Sequence, residues 1–211
     1  MKMYIFDFDD TLIDNFEMDY ESFRAVVEEN GFKMIPKQTF REMRIKGLLA
    51  DKIMKTIAPT QADVLFRKRK AMVMDSCFLE FAKVRPHVHH TFEKIKSDGH
   101  IVCIATRRKN RSKIQKFLET EKIAQYVTMM LCGDDVKGTP ESIKQKMYQL
   151  LMKKYEIDAE YTIVIGNTES DLLPAQQLGI KTIAVDGTYT KKEALTADIR
   201  ADFKMIGEII R

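Results

Sequence analysis

The chain has 211 residues, of which 45% are hydrophobic and 31% charged, and its formal net charge is +4. That length fits one globular domain or a domain carrying a smaller module, with enough apolar content to bury a sizeable core. The small charge excludes a strong nucleic-acid-binding signature, and no apolar run approaches the ~18 residues needed to span a bilayer.

The first predicted element is Met3 to Phe6, a β-prone apolar run that stops abruptly at Asp7. It reads as a buried strand ending in polar residues. Before it stands only Met-Lys, too short for the apolar region of a signal peptide. Residues 15–84 then read as all helical. Phe16, Tyr20, Phe23, Val26 and Val27 form an amphipathic stripe ending at Asn30-Gly31, and further helices are expected near 38–47, 49–57 and 60–82, with breaks at Pro36 and Pro59. Within the last of these, Arg67-Lys-Arg-Lys reads as a solvated helix face.

Past residue 85 the pattern alternates. Strands are expected at Ile101–Ala105, Met129–Cys132, Tyr161–Ile165 and Lys181–Val185, with helices around 87–98, 110–121, 141–155 and 170–178. Gly99 and Gly179 act as helix stops. Strand–helix alternation predicts an α/β fold, a parallel sheet covered on both faces in three layers. The expected organisation is a sheet domain of residues 1–14 and 85–211, interrupted by a helical insert of residues 15–84. His87, His89 and His90 sit at a helix start with no acidic or cysteine partner nearby, which favours capping or exposure over metal binding. Cys77, Cys103 and Cys132 lie far apart without metal-ligand spacing, so they read as reduced thiols of a cytoplasmic protein.

In such sheets ligands bind beyond the carboxyl ends of the strands. Those ends present Asp7, Asp9, Thr106, Asn167 and Asp171. Gathering acidic groups beside buried strands is costly unless a cation or a reaction uses them, and Mg²⁺ prefers such oxygen donors.

Asp7-Phe-Asp-Asp-Thr-Leu12 matches D-x-D-x-T-[LV], and in this setting the chain resembles the haloacid dehalogenase-like phosphatases, in particular the phosphoglycolate-phosphatase-like members with a helical cap. The resemblance covers nearly the whole chain. It implies a Rossmann-like three-layer core, with residues 15–84 as a cap that closes over the site. It also implies a Mg²⁺-dependent phosphatase acting on a small phosphorylated metabolite, as a monomer or homodimer.

By the same resemblance Asp7 is the nucleophile and a metal ligand, and Asp9 is the general acid and base, its carbonyl also on the metal. Thr11, Thr106 and Arg107 contact phosphate, with Arg108 an alternative to Arg107. Two lysines compete to pair with the nucleophile. Lys137 begins Lys-Gly-Thr-Pro140, like the family's K-P-x-P, whereas Lys144 has the more usual separation from Gly166. Gly166-Asn-Thr-Glu-Ser-Asp171 stands where the family has G-D-x-x-x-D, so the first metal-ligand Asp is Asn167 here, with Asp171 the second. That departure implies a weaker metal site, with Glu169 and Asp171 compensating. Arg44, Lys46 and Lys52 are candidate substrate contacts from the insert. A phosphomutase shares nearly every motif, and a phosphometabolite-binding protein with weakened turnover is the reading from another class.

Overall fold

The computed structural model describes residues 1–140 and 142–209. Glu141, at the start of the expected helix 141–155, and residues 210–211, at the end of the expected sheet domain, lie outside the described residues. In chain order the strands are β1 (Met3–Phe6), β2 (Ile13–Asp14), β3 (Lys83–Val84), β4 (Ile101–Ala105), β5 (Met129–Leu131), β6 (Thr162–Gly166), β7 (Lys181–Ala184) and β8 (Ile199–Arg200). The helices are α1 (Phe16–Glu29), α2 (Lys37–Ile45), α3 (Ala50–Ile57), α4 (Ala62–Met74), α5 (Val88–Ser97), α6 (Arg111–Thr120), α7 (Ile143–Tyr155), α8 (Glu169–Gln176) and α9 (Phe203–Ile209). Two compact units result: Met1–Asp14 with Lys83–Arg211, and Asn15–Ala82.

The first unit holds a six-stranded parallel sheet of order β5-β4-β1-β6-β7-β8. β1 is central and fully buried, as a run without polar residues requires. Its side chains alternate between two cores, as the period of a strand dictates. Met3 and Ile5 join Met147, Tyr148 and Leu151 of α7 and Ala175 of α8. Phe6, on the other face, meets Phe92 of α5 at 4.9 Å and Phe203 of α9 at 6.1 Å between ring centroids. β2 and β3 form a separate antiparallel pair, Ile13 opposite Val84 and Asp14 opposite Lys83.

The second unit is helical. The expected stripe of α1 is buried, and Phe40 of α2 packs on Phe16, Tyr20 and Phe23. The expected helix 60–82 is shorter than its pattern: it ends at Met74, because Ser76 takes a left-handed backbone (φ 60°), and a 3-10 turn follows at Leu79–Phe81. Arg69 departs from the expected solvated face. It is buried on the same side of α4 as Leu65, pairs with Asp19 and donates from Nε to Ser22 Oγ at 2.8 Å. Arg44 also donates to Asp19, at 3.1 Å, so the insert's cations are partly structural.

Among the described residues no helix is long and apolar enough to cross a membrane. All three cysteines are free thiols. Burial pushes the Cys103 thiol up to about 12 and the Cys132 thiol up to about 11. At pH 8 roughly one part in a thousand or less of either is thiolate, the reactive form. A colorimetric thiol titration of the native protein should therefore count one fast group, half-buried Cys77, and all three only after unfolding in denaturant. Three fast groups would contradict the packing of β4 and β5.

Candidate active site

β1 is flanked by β4 and β6, with Phe6 level with both Ile104 and Ile165. The chain runs from β1 to β4 and β5 on one side, then returns through α7 to β6 on the other, which makes the carboxyl end of β1 a topological switch point. The register sets Asp7, Thr106 and Asn167 just past the ends of three adjacent strands. The Asp7 amide extends the ladder by donating to Ile165 O at 2.9 Å, which fixes the residue before its side chain leaves the sheet. Asp10 then takes a left-handed conformation (φ 57°) in the turn after β1, one that Asp tolerates better than most residues.

Of the two candidate lysines, Lys144 is the one placed against Asp7. Its ammonium is 1% exposed and lies 2.5 Å from Asp7 Oδ1, 2.6 Å from Ala105 O and 2.9 Å from Asp171 Oδ1. Lys137 is exposed in the loop before α7, and its carbonyl accepts from Lys146 Nζ at 2.9 Å. A signal for this was present in the sequence. Ile143, Lys144, Met147, Tyr148 and Leu151 share one helical face, so a lysine sits on the buried stripe of α7. A cation there needs anionic company.

Asp171 enters from the first turn of α8. Its carboxylate holds Lys144 on one oxygen and accepts from Thr168 Oγ1 at 2.5 Å on the other, and its carbonyl accepts from the buried Tyr148 hydroxyl at 3.1 Å. Gly166 makes this approach possible: a Cβ at that position would lie 2.5 Å from the Asp171 Cβ. Asn167 is buried, and its amide oxygen accepts from Thr11 Oγ1 at 3.1 Å. Thr11, expected on phosphate, is thus fully buried against Asn167. Glu169, expected to compensate for Asn167, instead accepts from the Thr196 amide at 2.8 Å.

The Arg-rich run after β4 divides sharply. Arg107 is exposed, with a 3.4 Å contact to Ser170 Oγ. Arg108 is 1% exposed and grips Asp9, Nε lying 3.0 and 2.9 Å from the two carboxylate oxygens and a terminal nitrogen 2.6 Å from Oδ1. Thr106, also buried, accepts from the Arg108 amide at 3.1 Å. Of the two arginines expected at phosphate, Arg107 thus faces solvent and Arg108 is committed to Asp9. Asp134 and Asp135 are loop residues, Asp135 binding the Cys132 amide and Arg111. His87, His89 and His90 are exposed, and His87 precedes α5 without a side-chain capping bond.

Among the described residues, the carboxylates of Asp7, Asp9 and Asp171 face two buried cations, Lys144 and Arg108. Burial, followed by the neighbouring Asp171, pushes the Asp7 carboxyl up to about 7, against the pull of Lys144. Burial alone disfavours the Lys144 ammonium, but Asp171 and Asp7 outweigh it and hold the group charged. Among the described residues no group of three or more His, Cys, Asp or Glu is placed to hold a metal ion. Arg108 occupies Asp9, while Lys144 and Thr168 occupy Asp171. By donor chemistry the Asp7 carboxylate and the Asn167 amide oxygen suit a hard cation, a pair with one formal charge, and the family resemblance adds the Asp9 carbonyl.

The family model of the haloacid dehalogenase-like hydrolases matches residues 4–185. The chain belongs to that family. A phosphorylated carbohydrates phosphatase from Thermotoga maritima is 26% identical over 188 residues, covering 87% of this chain and 84% of its own length. The pyrophosphatase PpaX from Oceanobacillus iheyensis is 24% identical over 222 residues, covering 99% and 98%. A HAD-superfamily hydrolase from Geobacter sulfurreducens shares the fold with a TM-score of 0.77 at 16% identity, covering all of this chain and 97% of that one. The matched residues 4–185 take in the second unit and, in the first, the strands β1, β4 and β6 whose carboxyl ends carry Asp7, Thr106 and Asn167.

Proposed function

We propose that this haloacid dehalogenase-like protein is a phosphatase that hydrolyses a small phosphomonoester through a phosphoryl-enzyme intermediate on Asp7. The observation that carries this reading is the pairing of a buried Asp7 with Lys144 at the switch point, with Asp9 two residues on. Among the described residues Lys144 engages Oδ1 of Asp7 and no hydrogen bond falls on Oδ2. A carboxylate held through one oxygen keeps the other for attack.

In the first step an Asp7 oxygen forms a bond to phosphorus while the bond to the leaving oxygen breaks. The proton on Asp9 passes to that leaving oxygen. In the second step Asp9 takes a proton from water, the water oxygen bonds to phosphorus and the Asp7–phosphorus bond breaks, releasing inorganic phosphate. Lys144 and Thr106 are the candidates for holding phosphoryl oxygens. Mg²⁺, held by Asp7, the Asp9 carbonyl and Asn167, would offset the repulsion between two anions. Asp171 acts here by positioning Lys144. The relatives named as phosphatases of phosphorylated carbohydrates and of pyrophosphate support a small phosphorylated substrate, and three free thiols support a reducing, cytoplasmic setting.

Phosphate release from a panel of phosphomonoesters, with Mg²⁺ and with chelator, tests this reading. Turnover on at least one ester that stops on chelation is the expected result, and no release from any ester would contradict it. Asn167→Asp gives a second test. The added charge should lower the Mg²⁺ concentration for half-maximal activity by about tenfold or more, given that metal-site partners are typically worth 10–100-fold. In chelator the same variant should melt below wild type, since it buries another anion. An unchanged Mg²⁺ requirement would remove Asn167 from the metal set.

A further inference from the structure

We infer that Arg108 is the positioning residue for Asp9, setting the angle at which this carboxyl meets the leaving oxygen of the substrate. The inference rests on the phosphatase reading and names a residue that reading does not use.

Arg108 is built as a fixed support. Its guanidinium is 1% exposed, whereas the Asp9 side chain it holds is 35% exposed. The arginine therefore grips the carboxyl from the buried side and leaves the acid's open side toward solvent, where a substrate enters. Two guanidinium nitrogens reach the carboxylate, an arrangement that fixes its plane as well as its place. The backbone beneath is pinned at both ends. The Arg108 amide donates to Thr106 Oγ1, and its carbonyl accepts from the Gly133 amide at 2.7 Å. Gly133 is required for this seating, because a Cβ there would lie 2.4 Å from the Arg107 carbonyl oxygen. Thr106, Arg108 and Gly133 thus tie the ends of β4 and β5 to the acid that follows β1. A lysine cannot reproduce the fork, since an ammonium is a point charge without a plane.

A positioned general acid matters in proportion to the basicity of the leaving oxygen. The test compares kcat/KM, which reports formation of the phosphoryl-enzyme, for an alkyl phosphate and for 2,4-dinitrophenyl phosphate. Arg108→Gln and Arg108→Lys should each lose about 100-fold on the alkyl ester and less than about tenfold on the activated one, the usual range of general-acid contributions. Asp9→Asn sets the benchmark, and the double variant Asp9→Asn/Arg108→Gln should be no worse than Asp9→Asn alone. Equal losses on both esters, a wild-type Arg108→Lys, or a double variant clearly below Asp9→Asn would overturn the inference. A benchmark Asp9→Asn without leaving-group dependence would instead overturn the acid role of Asp9 itself. If Arg108→Gln does not fold, Arg108→Lys decides, because it retains the buried charge beside Asp9.

Discussion

Asp7→Asn should abolish phosphate release, by about 10⁴-fold or more, which is the scale seen when a nucleophile is removed. The same variant should keep its fold and lose a pH dependence. Asp7 is buried beside Asp171, and its carboxyl is pushed up from 3.8 to about 7. A raised carboxyl pKa means that the native state binds the proton more tightly than the unfolded chain. Its contribution to stability is full below about 4 and is lost as pH rises through about 7, because the slope of stability with pH follows the difference in bound protons. Urea unfolding in chelator should show that decline for the wild type between pH 4 and 7, and Asp7→Asn should flatten it. At pH 8 the variant should equal or exceed the wild type, by an amount on the order of 1 kcal/mol. A nucleophile that destabilises its own fold is the signature of a site shaped for chemistry. An Asp7→Asn protein that is inactive because it is unfolded would count against this account.

Lys144→Met should be costly in both respects. Removing the ammonium leaves Asp7 and Asp171 as adjacent buried carboxylates with their shared cation gone. Breaking a buried pair in this way typically costs 3–5 kcal/mol, so a loss of about that size is expected at neutral pH, with no detectable turnover. The cost belongs to the stranded anions and should therefore be non-additive. Lys144→Met/Asp171→Asn should be more stable than Lys144→Met alone, although it carries one more substitution. Lys144→Arg should not restore activity, because the cavity around a 1% exposed ammonium does not admit a larger planar group. Denaturation curves of the three variants check this, and a double variant less stable than Lys144→Met would show that Asp171 is held by other means.

Much of the fold was legible because its strongest signals are local. β1 and β4 are unbroken apolar runs with polar stops, and a buried parallel strand has no other way to read. The elements that escaped are short. β2, β3 and β8 have two residues each, too few for any period to register, and α9 has seven. The end of α4 at Met74 depended on a left-handed Ser76, which an unbroken helical pattern does not announce.

Within the site, the D-x-D spacing singled out Asp7 and Asp9, whereas Arg108 stood only as the alternative to Arg107 for phosphate and its hold on Asp9 was not legible. Nothing in the run Arg-Arg-Lys-Asn-Arg tells which cation is buried, whereas in the structure Arg108 is buried where its loop sits tightly on Gly133. Lys144 falls between these cases. Its separation from Gly166 left two candidates, yet its place on the apolar stripe of α7 distinguishes it from Lys137.

The most direct test of the central claim is to quench a steady-state reaction of wild-type enzyme and radiolabelled phosphomonoester in acid, then map the labelled peptide. The account predicts hydroxylamine-sensitive label on Asp7, present in Asp9→Asn and absent in Asp7→Asn. Turnover with no covalent label, or with label on any other residue, would contradict it.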